Sequence, residues 1–197
     1  MRLFIMSDFY QQNYREYHEK TFRIDPSSIL LPLARRLAPE SVVLDAGCGS
    51  GRDLLWLKNR GFNVIGFERS PGLAELAREN AGCEVIQGDF ELYDFSGFSA
   101  DAIVLTGALV HIPHKRFRKV FENITAGLKN GGYVLVSLKE GTGKKAGSDG
   151  RIFYLWQDGD LHELFADSGF AVLNFFRQGS VMGTGEVWLG YVLRRTV

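Results

Sequence analysis

Cysteine is scarce in this chain: Cys48 and Cys83 are the only two in 197 residues, and they stand 35 apart. With no second pair, neither a disulfide framework nor a cysteine zinc site is indicated, and both thiols fit a reduced, cytoplasmic setting. An excess of one charge is missing as well, since Lys plus Arg and Asp plus Glu are each 23 and the formal net charge is zero. Proteins that hold an extended nucleic acid more often carry a basic surplus, so the balance argues against that partner. No apolar window approaches a membrane span, and the opening Leu3-Phe4-Ile5-Met6 is too short for a signal-peptide core. Repeats and low-complexity segments are absent too. The 45% of apolar residues is enough for one domain with a sizeable core, so residues 1–197 read as a single domain.

The most informative segment is Val42-Val43-Leu44-Asp45-Ala46-Gly47-Cys48-Gly49-Ser50-Gly51-Arg52, an apolar strand that ends in a carboxylate and a glycine turn. Glycines at 47, 49 and 51 remove every Cβ from one strand-to-helix bend, so a ligand can lie against the backbone there. The G-x-G-x-G spacing differs from the G-x-G-x-x-G of dinucleotide sites and suits a nucleoside without a diphosphate. Two further strands end in acids. Asn63-Val64-Ile65-Gly66-Phe67-Glu68 places Glu68 at 23 residues after Asp45, the interval that sets a carboxylate over ribose hydroxyls in a βαβ unit. Glu84-Val85-Ile86-Gln87-Gly88-Asp89-Phe90 adds an acid followed by an aromatic. Then come the buried-strand pattern Asp101 to Gly107 and the turn-and-strand Leu128-Lys129-Asn130-Gly131-Gly132-Tyr133-Val134-Leu135-Val136.

These five motifs, in order over about residues 42–138, resemble those of the class I S-adenosylmethionine (SAM) dependent methyltransferases. The resemblance implies an α/β fold: a single-domain Rossmann-like, seven-stranded sheet, mostly parallel with a reversed last strand, with helices on both faces. It implies SAM as cofactor and S-adenosylhomocysteine as product. Asp45, Ala46, Gly47, Cys48, Gly49, Gly51 and Arg69 would line the cofactor, Glu68 would lie at the ribose, and Asp89 would bond the adenine amino group with Phe90 on the ring. Thr106 and Gly107 would lie toward the sulfonium.

Helices are expected near 8–20, 28–38, 52–60, 72–81, 114–129 and 159–168, and strands near 42–46, 63–67, 84–87, 102–106, 132–138, 171–176 and 186–193. The last two strands, with no helix between them, read as an antiparallel hairpin. Residues 41–197 would form the SAM-binding core and 1–40 a helical cap. In that cap Tyr10, Tyr14 and Tyr17 follow i, i+4, i+7 spacing and form one stripe on a helix. The stripe either packs the helix on the core or serves as a lid, with Tyr14 over the methionyl end of SAM and Tyr10 at the acceptor.

His111 lies four residues beyond Gly107, where it is either a general base toward the acceptor or a brace of the turn. Arg52 and Arg151 each have a guanidinium fork that matches a carboxylate, of SAM or of an acidic acceptor; a solvated Arg52 is the alternative. Arg151 and Tyr154, after the loop Lys139 to Gly150, are assigned to acceptor recognition, and that loop is expected to be mobile. Gly143-Lys144 is not a phosphate loop, because Leu138 and Lys145 stand where glycine and Ser or Thr are required. The run His114-Lys115-Arg116-Phe117-Arg118-Lys119 reads as the solvated face of a helix whose Phe117, Val120, Phe121 and Ile124 turn inward.

Leu105-Thr106-Gly107-Ala108 stands where enzymes that methylate base amino groups or glutamine amides carry Asn/Asp-Pro-Pro-aromatic. The expected acceptor is therefore a small molecule with an O, N or S nucleophile, and no metal is implied. Protein or RNA methylation and a non-catalytic SAM-binding subunit stay open. A nicotinamide oxidoreductase would explain the glycine turn and Glu68 but not Asp89-Phe90. Both a monomer and a homodimer are compatible with the sequence.

Overall fold

The computed structural model describes residues 7–196, so the Leu3–Met6 segment lies outside the described residues. In chain order the elements are α1 (Ser7–Gln12), α2 (Tyr14–Thr21), α3 (Ser27–Ala34), β1 (Val42–Ala46), α4 (Arg52–Lys58), β2 (Asn63–Glu68), α5 (Pro71–Ala81) and β3 (Val85–Gln87). They continue with β4 (Ala100–Thr106), α6 (His114–Thr125), β5 (Leu128–Lys139), β6 (Lys144–Ala146), β7 (Ile152–Tyr154), α7 (Asp158–Asp167), β8 (Phe170–Gly179) and β9 (Val187–Arg195).

One seven-stranded sheet has the order β3-β2-β1-β4-β5-β9-β8. β1 to β5 pair in parallel, and β9 runs antiparallel to both β5 and β8, which is the reversed last strand expected. Alternation along the central strands divides the core in two. Ile103 and Leu105 of β4 pack with Phe117, Phe121, Leu161 and Phe165 from α6 and α7. Ala102 and Val104, one residue out of phase, pack with Leu30, Leu33, Trp56 and Leu57 from α3 and α4. Strands covered on both faces must be apolar on both sides, and this is why β1 is apolar at every position but Asp45 near its end. The order reverses at β1 and β4, which diverge to neighbours on opposite sides, so the crevice beyond their carboxyl ends is where ligands of such sheets bind.

The helix that follows Glu68 is closed at both ends by its own sequence. Ser70 Oγ accepts from the Leu73 N–H, Pro71 opens the first turn, and Gly82 ends the helix in the left-handed region. This fixes the chain direction immediately after a strand-end acid.

Three expectations need correction. The helix expected over 8–20 is interrupted at Asn13, whose backbone (φ −115, ψ 20) separates α1 from α2. The helix expected to reach 129 ends at Thr125, and β5 begins at Leu128, where Ala100 already pairs with it before the register shifts. The stretch from Lys139 to Gly150, read as a loop, instead completes β5 and enters the hairpin β6-β7, which Gly147 N–H to Arg151 O closes.

Candidate functional site

Beyond the carboxyl ends of the parallel strands lies a cavity of about 120 Å³. Its walls include Gly47, Gly49, Glu68, Asp89 and Phe90 at one end, Thr106, Gly107 and His111 at the other, and Tyr10 and Tyr17 above. Small-molecule sites usually offer roughly 300 Å³ or more. The Tyr17 ring comes within 3.5 Å of where a Cβ on Gly49 would stand.

The three glycines of the turn all have positive φ, at 87°, 56° and 88°, yet they serve different ends. A Cβ on Gly47 would stand 2.6 Å from Ala108 Cβ, and one on Gly51 would stand 2.9 Å from the Ala77 backbone. Gly51 therefore permits α4 and α5 to approach and does not face the cavity, contrary to its assignment to the cofactor. Gly47 and Gly49 remain as cavity walls.

Glu68 is held by backbone: its Oε2 accepts from Gly49 N–H (3.0 Å) and its Oε1 from Ser70 N–H (2.8 Å). Burial raises its pKa, and those two bonds oppose the rise. Asp89 receives Arg69 Nη1 at 3.0 Å and the Glu91 N–H at 2.9 Å, while Phe90 stacks on Phe67 at 5.6 Å between centroids. Asp45, beneath the turn, is 2% exposed and its Oδ2 has no hydrogen-bond partner. Burial first, and then the carboxylate of Asp53, push its pKa well above the ordinary value. Arg52 spends its Nε on Asp53 Oδ1 at 2.6 Å, so it is neither freely solvated nor directed at the cavity wall. Ala46 and Cys48 are buried behind that wall, Cys48 in the small cluster between α4 and α5.

The other end is assembled from distant segments. Tyr10 Oη lies 2.9 Å from His111 Nε2, and Arg151 Nη1 donates to Tyr10 Oη at 3.1 Å. His111 Nδ1 is 2.6 Å from the Ile152 carbonyl oxygen, which can only accept. Nδ1 therefore carries the proton, Nε2 is the acceptor, and the tyrosine hydroxyl donates to it. Burial, and then the cations Arg151, Lys139 and Arg69, lower the His111 pKa to about 4, against the pull of the Ile152 bond. The ring is neutral at physiological pH. Arg151 is also paired with Asp149 and lies 4.4 Å from the Phe9 ring centroid. The Thr106 hydroxyl, on the same wall, has no hydrogen-bond partner.

Two sequence assignments land elsewhere. Tyr14 packs on Gly72, whose Cβ would meet its ring at 2.7 Å, because the break at Asn13 turns it off the stripe that Tyr10 and Tyr17 keep. Tyr10 and Tyr17 contact edge to face at 5.2 Å, so Tyr17 is the cavity residue that the i, i+7 spacing contained and the assignment passed over. Tyr154 packs its ring against His114 at 5.5 Å and lines neither this cavity nor its neighbour. That neighbour, about 580 Å³, includes Lys139, Phe153, Leu155 and Glu186 in its walls. Lys139 was not singled out in the sequence, although a lysine closing an apolar strand is a readable signal. Its Nζ bonds Glu186 at 2.6 Å and lies 3.6 Å from the Phe153 ring centroid, and Phe153 in turn touches His111 at 4.8 Å. Among the described residues no cluster of His, Cys, Asp and Glu could hold a metal ion, and no helix is long and apolar enough to cross a membrane.

Comparison with known proteins agrees with this geometry. A family model described as "Methyltransferase domain" matches residues 43–132. A protein of Encephalitozoon cuniculi, provisionally named a methyltransferase, is 30% identical over 189 residues, covering 84% of this chain and 87% of that protein. The 18S rRNA (guanine-N(7))-methyltransferase of Schizosaccharomyces pombe is 27% identical over 107 residues, 47% of this chain and 39% of that protein. Among solved structures, the Burkholderia thailandensis 1,6-didemethyltoxoflavin-N1-methyltransferase, with 1,6-didemethyltoxoflavin and S-adenosylhomocysteine bound, superposes with a TM-score of 0.76. It is 20% identical, with 98% of this chain and 88% of that chain covered.

Proposed function

Since the chain belongs to the methyltransferase-domain family, we propose that it binds SAM in the first cavity and transfers its methyl group to a small molecule at the His111 end. The observation that carries this reading is Glu68: a buried carboxylate pinned by two backbone N–H groups at the wall of a cavity whose floor is the glycine turn. An ionised carboxylate accepts from several donors at once, so Glu68 has acceptor capacity left for the two ribose hydroxyls. Asp89 with Phe90 in the cavity wall suits the adenine, and Asp45, buried beneath the turn with one oxygen unpartnered, would take the amino group of the methionyl end. The residues therefore fit the group.

When bound, SAM supplies an electrophilic methyl on a sulfonium. The chain's own part is to position and to exclude water, which together can contribute roughly 7–11 kcal/mol in favourable cases. The helices α1 and α2 form the cap: Tyr10 and Tyr17 close over Gly49 and must move outward to admit a nucleoside, then seal it. His111 fixes the Tyr10 phenol at the acceptor end, and Arg151 holds it from the other side. Arg151 also serves acceptor recognition.

A small-molecule acceptor is supported by the small volume of the cavity, about 120 Å³, and by Thr106-Gly107-Ala108 in place of a base-amino motif. The resemblance to an rRNA methyltransferase over part of the chain is the specific observation that favours RNA as the second reading. The test is calorimetric titration with SAM, S-adenosylhomocysteine and NADH, in the wild type and in Glu68→Ala. Binding of the two adenosyl ligands alone, weakened about 100-fold in the variant through the loss of a charge-assisted pair of bonds, is the expected result. Tighter binding of NADH would overturn it.

A further inference from the structure

The acceptor end of the first cavity contains no free base. His111 Nδ1 is committed to the Ile152 carbonyl, and its Nε2 receives the Tyr10 hydroxyl. Tyr10 Oη in turn already receives Arg151. A neutral alcohol, a neutral thiol or a protonated amine that reached this point would find its proton without an open place to go. The cations that lower the His111 pKa are Arg151, Lys139 and Arg69, each of them paired with a carboxylate, Asp149, Glu186 and Asp89. A proton arriving on the imidazole would be repelled by each of those cations.

From this arrangement, and resting on the SAM reading above, we propose that the acceptor is taken as a preformed anion, a thiolate or carboxylate whose nucleophilic atom has lost its proton before it binds. The acceptor's electron pair forms the new bond to the methyl carbon, and the carbon–sulfur bond breaks with its electrons remaining on sulfur. The negative charge of the acceptor and the positive charge of the sulfonium cancel, and no proton moves. The chain needs only donors and cations at this end, and it has them. Thr106 lines the cavity, and its buried hydroxyl is a donor without a partner. Arg151 is reached through Tyr10, and Lys139 through Phe153.

Room for the body of such an acid lies next door. Phe153, whose ring centroid lies 4.8 Å from that of His111 in the first wall, lines the second cavity, whose 580 Å³ is ample for a small molecule. Lys139 lines that second cavity beside Phe153, 6% exposed, with one of its three donors spent on Glu186. It is the specificity residue this inference adds, an ammonium held where the anion's charge would be desolvated. Glu186 and Asp149 balance Lys139 and Arg151 in the free protein, so the pair of cations costs little to keep there.

Four probes on one ring test the proposal: 4-nitrothiophenol and 4-nitrobenzoate as anions, 4-nitrobenzyl alcohol as the neutral member, and 4-nitrobenzylamine as the cation. Binding is measured by calorimetry on protein saturated with S-adenosylhomocysteine, and methyl transfer from SAM by product formation with a pH indicator in weak buffer. At least one anion is expected to bind tenfold more tightly than the alcohol and the amine and to be methylated without proton release. Lys139→Gln and Arg151→Gln should each reduce that preference about tenfold, while S-adenosylhomocysteine affinity stays within threefold. Equal or better binding or turnover of the alcohol or amine, no anion binding at all, or a preference untouched in both variants overturns the proposal. Failure of the wild type to bind S-adenosylhomocysteine is a separate outcome, which removes the cofactor reading and this inference with it.

Discussion

At one end of the cavity Glu68 and Asp89 close consecutive strands and are bonded to backbone or to close neighbours, Gly49, Ser70, Arg69 and Glu91. At the other end Tyr10 meets His111 across 101 residues and Arg151 across 141, and two of the three links join side chains alone. The first end is fixed by the same parallel register that makes the sheet, so it cannot loosen without loss of fold. The second is a chain of three hydrogen bonds between a cap helix, a loop after β4 and the β6-β7 hairpin, and it can separate while the sheet stays intact. A cofactor shared across a family suits the first construction. An acceptor particular to one protein suits the second.

The strongest way to sharpen this contrast is Gly47→Ala. The added Cβ would meet Ala108 at 2.6 Å, and the residue must hold a φ of +87°. Left-handed strain and overpacking together should cost about 3 kcal/mol, or a melting point lower by about 10 °C. Differential scanning calorimetry checks it, and a variant as stable as the wild type would show that the turn is not fixed by the fold.

Next in size is a pH effect at the other end. The folded His111 pKa of about 4 lies below its ordinary value of 6.5, so the unfolded chain binds a proton that the folded chain refuses. Stability through this group is full above pH 6.5 and declines as pH falls toward 4, by about 3 kcal/mol in all. Chemical denaturation between pH 7.5 and 4.5 should show that decline in the wild type and a shallower one in His111→Gln.

Tyr10→Phe breaks the second end alone. It removes the hydroxyl that joins Arg151 to His111 and leaves every bond of Glu68 in place. Acceptor turnover should fall about thirtyfold, since misplacement of reacting groups is costly, while SAM affinity changes less than threefold. A parallel loss of SAM binding would mean that the two ends are one unit.

The same contrast explains what could be read in the sequence. The seven strands of the main sheet and the acids at or just beyond their ends were legible because each is local: an apolar run, a glycine turn and a carboxylate within about ten residues. The α1–α2 break was not, since Asn13 carries no side-chain cap and interrupts a stripe whose spacing otherwise fits one helix. Tyr14 was consequently assigned to the cofactor in place of Tyr17. Gly51 was misplaced because the need for a missing Cβ can come from a neighbouring helix as well as from a ligand, and only Ala77 decides which. The hairpin β6-β7 was hidden by a glycine- and lysine-rich composition that reads as loop, and it is held by bonds to His111 and His114 that no local pattern announces.

The smallest expected effect has two signs, and it places a cost of function inside the rigid end. Asp45 is buried with an unpartnered Oδ2, and burial together with Asp53 raises its pKa. The folded chain therefore holds a proton that the unfolded chain releases, so stability falls as pH rises above the ordinary aspartate range. Asn has the same shape and no charge to desolvate, so Asp45→Asn should stabilise the free protein by about 1 kcal/mol and flatten that pH dependence. The amino group of SAM would then lose a charged acceptor, and affinity should fall roughly fivefold to tenfold. Melting curves with and without SAM measure both signs in one experiment. A variant that gains stability and keeps full SAM affinity would remove Asp45 from the cofactor end and leave Glu68 and Asp89 to hold it.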